Sequence, residues 1–406
     1  MRKLTKQKLI DGSMAVQLEE AAMGGPAVKL AARELLKNLE LPATPEGARE
    51  ALVLAGRWSG KEGGEAARDF QPWSAATLEA ASSFKEATLL ATPEKGRDDF
   101  RPLDAYAIDG ARTAFRDDAV GLRERDGEIV KGKNRWEVVV HVADVSAVYC
   151  GGEGEGEGEK ERGVAEELRR AARERSFSRY DLNFGPLHML PPKALQALSL
   201  TTGAARPCVT VVAYIDEETG RLLDARVART VVNVEDCLSH EAADALLDEG
   251  RGGGRAAEAL GTVEKLLRSW QENRKATNSD SKKRSDKLNT RAASRGSGSV
   301  AGNDGAFART RSHLLVDASL ELYSTVIMQK MVAANAQLAM LPGAGIGRAG
   351  RAGTAPLRRF VDGVAQRQVL TALCGYGGEP LSREECREIS EEAGRVRAAW
   401  RKEGSK

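Results

Sequence analysis

Residues 136–142 read WEVVVHV, a β-branched run that is continuous rather than alternating. A strand with Val138, Val139, Val140 and Val142 in succession is buried on both faces, so it needs strands beside it and other layers above and below. The chain supplies both. Residues 208–215 and 225–232 are rich in β-formers and flank a turn at 216–220 that ends in Gly220, the pattern of a hairpin. Helical spacing of apolar residues predicts a helix over 27–39, stopped by Leu41-Pro42, and another from 45 to near 56, opened by Thr44 as N-cap and Pro45 at the first helical position. Further helices are expected over 78–90, 164–174, 241–247, 360–373 and 382–400. Ser312 is placed to cap a long helix running to about Met340, with Leu315, Ala318, Leu322 and Val326 on one face.

A chain of 406 residues has ample length for one large or two ordinary cores. Its longest apolar runs fall well short of the ~18 residues a membrane span needs, so no membrane partner is expected. A net charge of only +2 excludes chain-wide attraction to nucleic acid, and any such affinity must come from local clusters. Cys150, Cys208, Cys237, Cys374 and Cys386 are scattered without a CxxC pair, which favours reduced thiols in a soluble intracellular protein and argues against zinc. The start, MRKLTKQKLIDGS, lacks the apolar core of a secretory signal. Two stretches read as unable to bury a core: the acidic GGEGEGEGE opening a flexible insertion over 151–163, and a polar, basic linker over 273–305. The loop GAGIGRAGRAG at 343–353 lacks the Gly-Lys-Ser/Thr ending of a phosphate-binding loop.

Chemistry concentrates in residues 105–120, AYAIDGARTAFRDDAV. A short strand ends near Asp109, a loop follows, and the backbone returns at Asp117 and Asp118. In a straight strand those last two point to opposite faces, so their convergence requires a bend. Hard Mg²⁺ takes oxygen ligands, typically one or two carboxylates with a substrate phosphate, and aspartates at this spacing suit phosphodiester hydrolysis. Taken alone, an Asp-Asp pair is more often a solvated surface feature, and the reading depends on agreement from other segments.

That agreement comes from motif order. AYAID, FRDDAV, WEVVVHVADVSAVY, FSRY, HMLPPKAL and TAPLRRFVDGVAQRQV, in this succession, resemble the catalytic (RNB) domain of the ribonuclease II / ribonuclease R family. The nearest likeness is to its cyanobacterial and plastid branch, which AARELLKNLELPATPEGAREALVLAGRW upstream also resembles. The likeness covers most of residues 27–395. It implies an α/β (α+β) fold with a mixed sheet surrounded by helices. The expected organisation is an N-terminal tail over 1–26, a small helical, winged-helix-like module over 27–92, a catalytic domain over 93–395 and a C-terminal tail over 396–406.

The resemblance also implies the function: hydrolytic 3′-to-5′ removal of nucleoside 5′-monophosphates from single-stranded RNA with Mg²⁺, with no DNA partner. Asp109, Asp117 and Asp118 match three of the family's four motif aspartates and are the expected metal ligands, Asp117 being the indispensable one. Arg358 and Arg359 match its paired arginines and are expected on the scissile phosphate, where a guanidinium donates two parallel hydrogen bonds. Tyr180 matches the aromatic that stacks on a base. The family's location is chloroplast or cytoplasm. Three departures stand out: Phe115 replaces the fourth aspartate, the segment before APLRR is shortened, and no oligonucleotide-binding barrel follows the catalytic domain. Together they imply a weakened enzyme or a partial gene product, and Phe115 favours a competing expectation, a relative that binds RNA and has lost turnover.

Overall fold

The computed structural model describes residues 12–22, 30–55, 73–84, 96–111, 113–125, 135–149, 159–180, 186–286, 309–336, 352–376 and 379–403. Three short helices come first: α1 (Gly12–Ala22), α2 (Leu30–Asn38) and α3 (Pro45–Leu54). Their apolar stripes meet in a cluster of Ala15, Leu18, Ala22, Leu36, Ala48 and Leu52. The Thr44 side chain accepts the Gly47 amide at 3.3 Å, and Pro45 opens α3, as its sequence predicts. Helix α1 lies inside the segment expected to be a tail. Its small and apolar residues find partners in α3, which tail-like composition at its start conceals. Helix α4 (Ala75–Ser83) is shorter than expected, with residues 85–90 outside the described set.

The sheet has six strands: β1 (Asp98–Asp99), β2 (Ala105–Asp109), β3 (Asp118–Glu124), β4 (Trp136–Ala143), β5 (Ala205–Ile215) and β6 (Leu222–Ser239). Their order is β1-β6-β2-β3-β4-β5, and β5 also pairs with β6, so the ladders run in a closed circuit. β1 and β2 are parallel to β6 and the other pairings are antiparallel, which makes the sheet mixed as expected. The hairpin turn is held by Asp216, whose side chain accepts the Thr219 amide and whose carbonyl accepts the amide of Gly220 at φ +66°.

β4 is buried on both faces, and its two side-chain sets enter different cores. Val139 and Ala143 join one with Ala105, Ala107, Val212 and Val232. It is covered by α5 (Ser146–Tyr149), α6 (Glu159–Arg175), α7 (Pro192–Leu198), α11 (Phe360–Cys374) and α12 (Arg383–Glu403). Val138, Val140 and Val142 join the other with Tyr106, Val120 and Val211. That face is covered by α8 (His240–Glu249), α9 (Gly254–Asp286) and α10 (Arg311–Ala333). The period-2 geometry of one strand therefore sorts the helices into two layers.

Three boundaries differ from expectation. Helix α9 runs through Asp286, into the segment read as a linker; residues 287–308 lie outside the described set. Leu260, Val263, Leu267 and Trp270 anchor its first half, and beyond them Arg274 pairs with Glu321 of α10. Helix α6 begins at Glu159, within the expected insertion, whose residues 151–158 are also outside the set. Helix α10 starts at Arg311 with Thr310 as N-cap, and the Ser312 amide instead donates to Asp244 Oδ1 at 2.7 Å. No helix among the described residues is long and apolar enough to cross a membrane.

Candidate active site

β2 delivers Asp109 to its C-terminal end, level with Ser239 at the end of β6. The close approach of β3 behind it depends on Gly121, where a Cβ would lie 2.1 Å from the Asp104 carbonyl oxygen. The intervening loop is pinned: the Arg116 amide donates to Ser199 Oγ at 2.8 Å, and its carbonyl accepts from Leu200 at 3.1 Å. The Asp117 carbonyl accepts the Ala143 amide at 2.8 Å, just outside β3. This bond continues the β3–β4 register by one residue, and the Asp117 side chain lies inward, 5% exposed, while Asp118, first in β3, is half-buried.

Asp117 meets the APLRR segment from the far end of the chain. Its Oδ1 accepts the Leu357 amide and its Oδ2 accepts Arg358 Nε, both at 2.9 Å. The Arg358 carbonyl accepts the Ser178 amide at 2.9 Å, and Phe360 donates to the Ser176 carbonyl at 2.8 Å. This bridge lays FSRY alongside APLRR and brings Tyr180, 59% exposed, within electrostatic reach of Arg358, Asp117 and Asp109. The three aspartates, Arg358 and Tyr180 therefore share one neighbourhood.

Charge in this neighbourhood is strained. Burial pushes the Asp109 carboxyl up to about 6, with Asp117 adding to the shift and Arg116 and Arg358 opposing it. Burial also pushes Asp117 up, against the pull of Arg358, the Leu357 amide and Arg359. The Arg358 guanidinium holds its proton more tightly than usual because of Asp117 first, and then Tyr180, Asp118 and Asp109. A buried carboxylate with half-buried ones near it, facing the half-exposed Arg358 guanidinium, concentrates unbalanced charge in one place.

The paired arginines diverge. Arg359 Nη2 lies 2.7 Å from Asp362 Oδ2 and 2.8 Å from Thr354 Oγ1, and Asp362 also accepts the Ala355 amide at 2.9 Å. Arg359 thus braces the loop that carries Arg358. Sequence reading missed Asp362, although an acid in the first turn of a helix, three residues after Arg359, is a recognisable signal. The expected three-aspartate ligand set is not assembled as such: among the described residues no three His, Cys, Asp or Glu side chains are grouped to hold a metal ion. Asp117 instead spends both oxygens on Leu357 and Arg358. Phe115 is half-buried in the first core and packs edge-on against His188, ring centroids 5.1 Å apart. His188, the first residue of the HMLPPKAL motif and given no role by the sequence, also stands edge-on to Tyr180 at 6.1 Å.

The RNB domain family model matches residues 97–345, which holds the whole sheet and the three aspartates. The chain belongs to the RNB domain family. The sheet circuit and its helical layers are the RNB-type fold, within the ribonuclease II / ribonuclease R group. Among curated proteins, the mouse 3′-5′ exoribonuclease HELZ2 is 27% identical over 159 residues, 39% of this RNB chain and 5% of that protein. An active-site mutant of the Dss1 exoribonuclease from Candida glabrata aligns with a TM-score of 0.56 at 13% identity, covering 98% of this chain and 60% of that one. Mycoplasma genitalium RNase R in complex with ribose-methylated single-stranded RNA aligns with a TM-score of 0.48 at 13% identity, covering 87% and 60%. The RNB chain thus spans about 60% of these two solved chains and a small part of the mouse protein.

Proposed function

We propose that this RNB chain is a Mg²⁺-dependent 3′-to-5′ exoribonuclease that hydrolyses single-stranded RNA to nucleoside 5′-monophosphates. The observation that carries the reading is the contact of Arg358 with Asp117, which sets a half-exposed guanidinium on a buried carboxylate near an exposed tyrosine. Membership of the RNB family and a relative described as a 3′-5′ exoribonuclease support it.

The donor set fits a hard divalent cation on two grounds. Its donors are carboxylate oxygens, and Asp109 already registers the repulsion of Asp117 that a cation would relieve. Asp109 and Asp118, as carboxylates near Asp117, would hold Mg²⁺ together with substrate phosphate and water. Bound there, the metal supplies neutralising charge on the phosphoryl oxygens and a more acidic water. The chain's residues do the rest. Arg358 turns from Asp117 to a phosphoryl oxygen, Asp117 steadies it and orients water, and Tyr180 stacks on a base near the 3′ end. Water oxygen bonds to phosphorus as the P–O3′ bond breaks, so phosphate leaves on the 5′ carbon of the released nucleoside.

Phe115 favours a second reading, an RNA-binding relative without turnover, because a phenyl ring cannot ligate Mg²⁺. A 5′-labelled RNA with a single-stranded 3′ tail separates the two. Progressive shortening that needs Mg²⁺ and vanishes in Asp117→Asn supports the enzyme. Retained binding without shortening supports the alternative.

A further inference from the structure

Tyr180 is exposed, and an exposed ring binds a base well only when its own freedom is already restricted. The restriction traces to the N-terminal helices. Leu187 exchanges both backbone hydrogen bonds with Arg179, each at 2.8 Å, and its side chain packs into the cluster of Ala15, Leu18, Leu36 and Leu52. His188 follows. Its carbonyl accepts Arg175 Nη1 at 2.8 Å, and the next amide, of Met189, donates to Ser178 Oγ at 2.9 Å. The imidazole, in a residue 3% exposed, stands between Phe115 and Tyr180 and meets both edge-on, at 83° and 74°. Opposite it lies Glu19 of α1, also 3% exposed, with Oε2 3.6 Å from His188 Nε2. Neither ring nitrogen, nor Glu19 Oε2, has a hydrogen-bond partner among the described residues.

A buried imidazole and a carboxylate oxygen that meet only at 3.6 Å are costly, and apolar residues of the same shape would pack there more cheaply. Stability gives no reason for them, whereas orientation does. The imidazole is in contact with Glu19, Phe115 and Tyr180 at once, so its orientation is set by the first two where it meets the third. We propose that His188 is a positioning residue for Tyr180 and that Glu19 sets its ring, which makes α1 part of the platform that receives the 3′-terminal base of RNA. The ligand's identity rests on the nuclease reading above. The mechanical link does not.

The test uses the full chain in EDTA with a single-stranded RNA carrying 2-aminopurine at its 3′ end, whose fluorescence is quenched on stacking. Tyr180→Ala removes the quench and weakens binding roughly 5- to 150-fold, the range for one lost base–aromatic stack. His188→Leu reproduces most of that loss, and the double variant binds no worse than Tyr180→Ala alone. Glu19→Gln keeps the quench and Glu19→Ala loses it. Losses that multiply in the double variant overturn the proposal, as does an unquenched wild type. Should His188→Leu fail to melt cooperatively, the Glu19 pair decides, and equal quenching by both overturns it. RNA that is bound and quenched but never shortened in Mg²⁺ defeats the hydrolytic reading and leaves the platform standing.

Discussion

Restoring an acid at position 115 is the most informative perturbation of the site. Phe115 is half-buried, so replacing it with aspartate forfeits about half of the roughly 1.5–3 kcal/mol that full burial of such a side chain contributes. The edge-on pair with His188 is worth about 0.5–1.5 kcal/mol more. The new charge also enters a neighbourhood where Asp109 is already held up at about 6, and without metal that repulsion adds to the loss. Phe115→Asp is therefore expected to destabilise the chain by about 2–3 kcal/mol in EDTA. If the new carboxylate joins Asp109 and Asp118 on a cation, each tenfold gain in affinity returns about 1.4 kcal/mol at saturating Mg²⁺. Thermal melts with and without Mg²⁺ read this directly. The wild-type and Phe115→Asp melting temperatures converge as Mg²⁺ is added, Phe115→Asn shows the loss without the convergence, and RNA shortening rises in Phe115→Asp. A gap that is the same in EDTA and in Mg²⁺ would refute the reasoning, because position 115 would then not face the cation.

The two arginines of APLRR separate by role. Arg358→Ala abolishes RNA shortening and also destabilises the chain, because it leaves the buried Asp117 without its guanidinium partner. Arg359→Ala leaves the buried Asp362 without its cation and costs about 3 kcal/mol, and a urea midpoint at the wild-type value in either variant would contradict these roles. His141 sets a pH dependence of stability: burial pushes its imidazole down to about 3, while the unfolded chain takes up that proton near 6.5. Its contribution is complete above the unfolded value and declines by about 1.4 kcal/mol per unit as pH falls toward 3, so between pH 7 and 5 wild type loses about 2 kcal/mol more than His141→Gln. Parallel urea midpoints for the two proteins over that range would contradict it. Asp117→Asn loses a charge-assisted bond to Arg358 but sheds the burial penalty that raises the Asp117 carboxyl, so its melting temperature stays near wild type while turnover is lost.

Strand content was legible because the signal is local. The valines of β4 and the hairpin of β5 and β6 declare a pleated, buried surface residue by residue. Motif order also anticipated that Asp109, Asp117 and Asp118 share a neighbourhood with Arg358. The contacts that organise the site were not. Nothing in the neighbourhood of Glu19 or His188 announces that residues so far apart in sequence share a buried contact. The extension of α9 to Asp286 was hidden for a related reason: its polar residues look unstructured until the partner helix carrying Glu321 is in place. Arg359 illustrates the limit of carrying a motif over whole, since adjacent arginines leave the backbone in different directions and only one reaches Asp117.

The account turns on hydrolysis at a 3′ end, and the released product tests that most directly. Single-stranded RNA incubated with the chain and Mg²⁺ in heavy-oxygen water, followed by mass spectrometry, is predicted to yield nucleoside 5′-monophosphates carrying one heavy oxygen on phosphorus, with none formed in EDTA. Intact RNA, internal fragments, or nucleotides with phosphate on the 3′ carbon would contradict it.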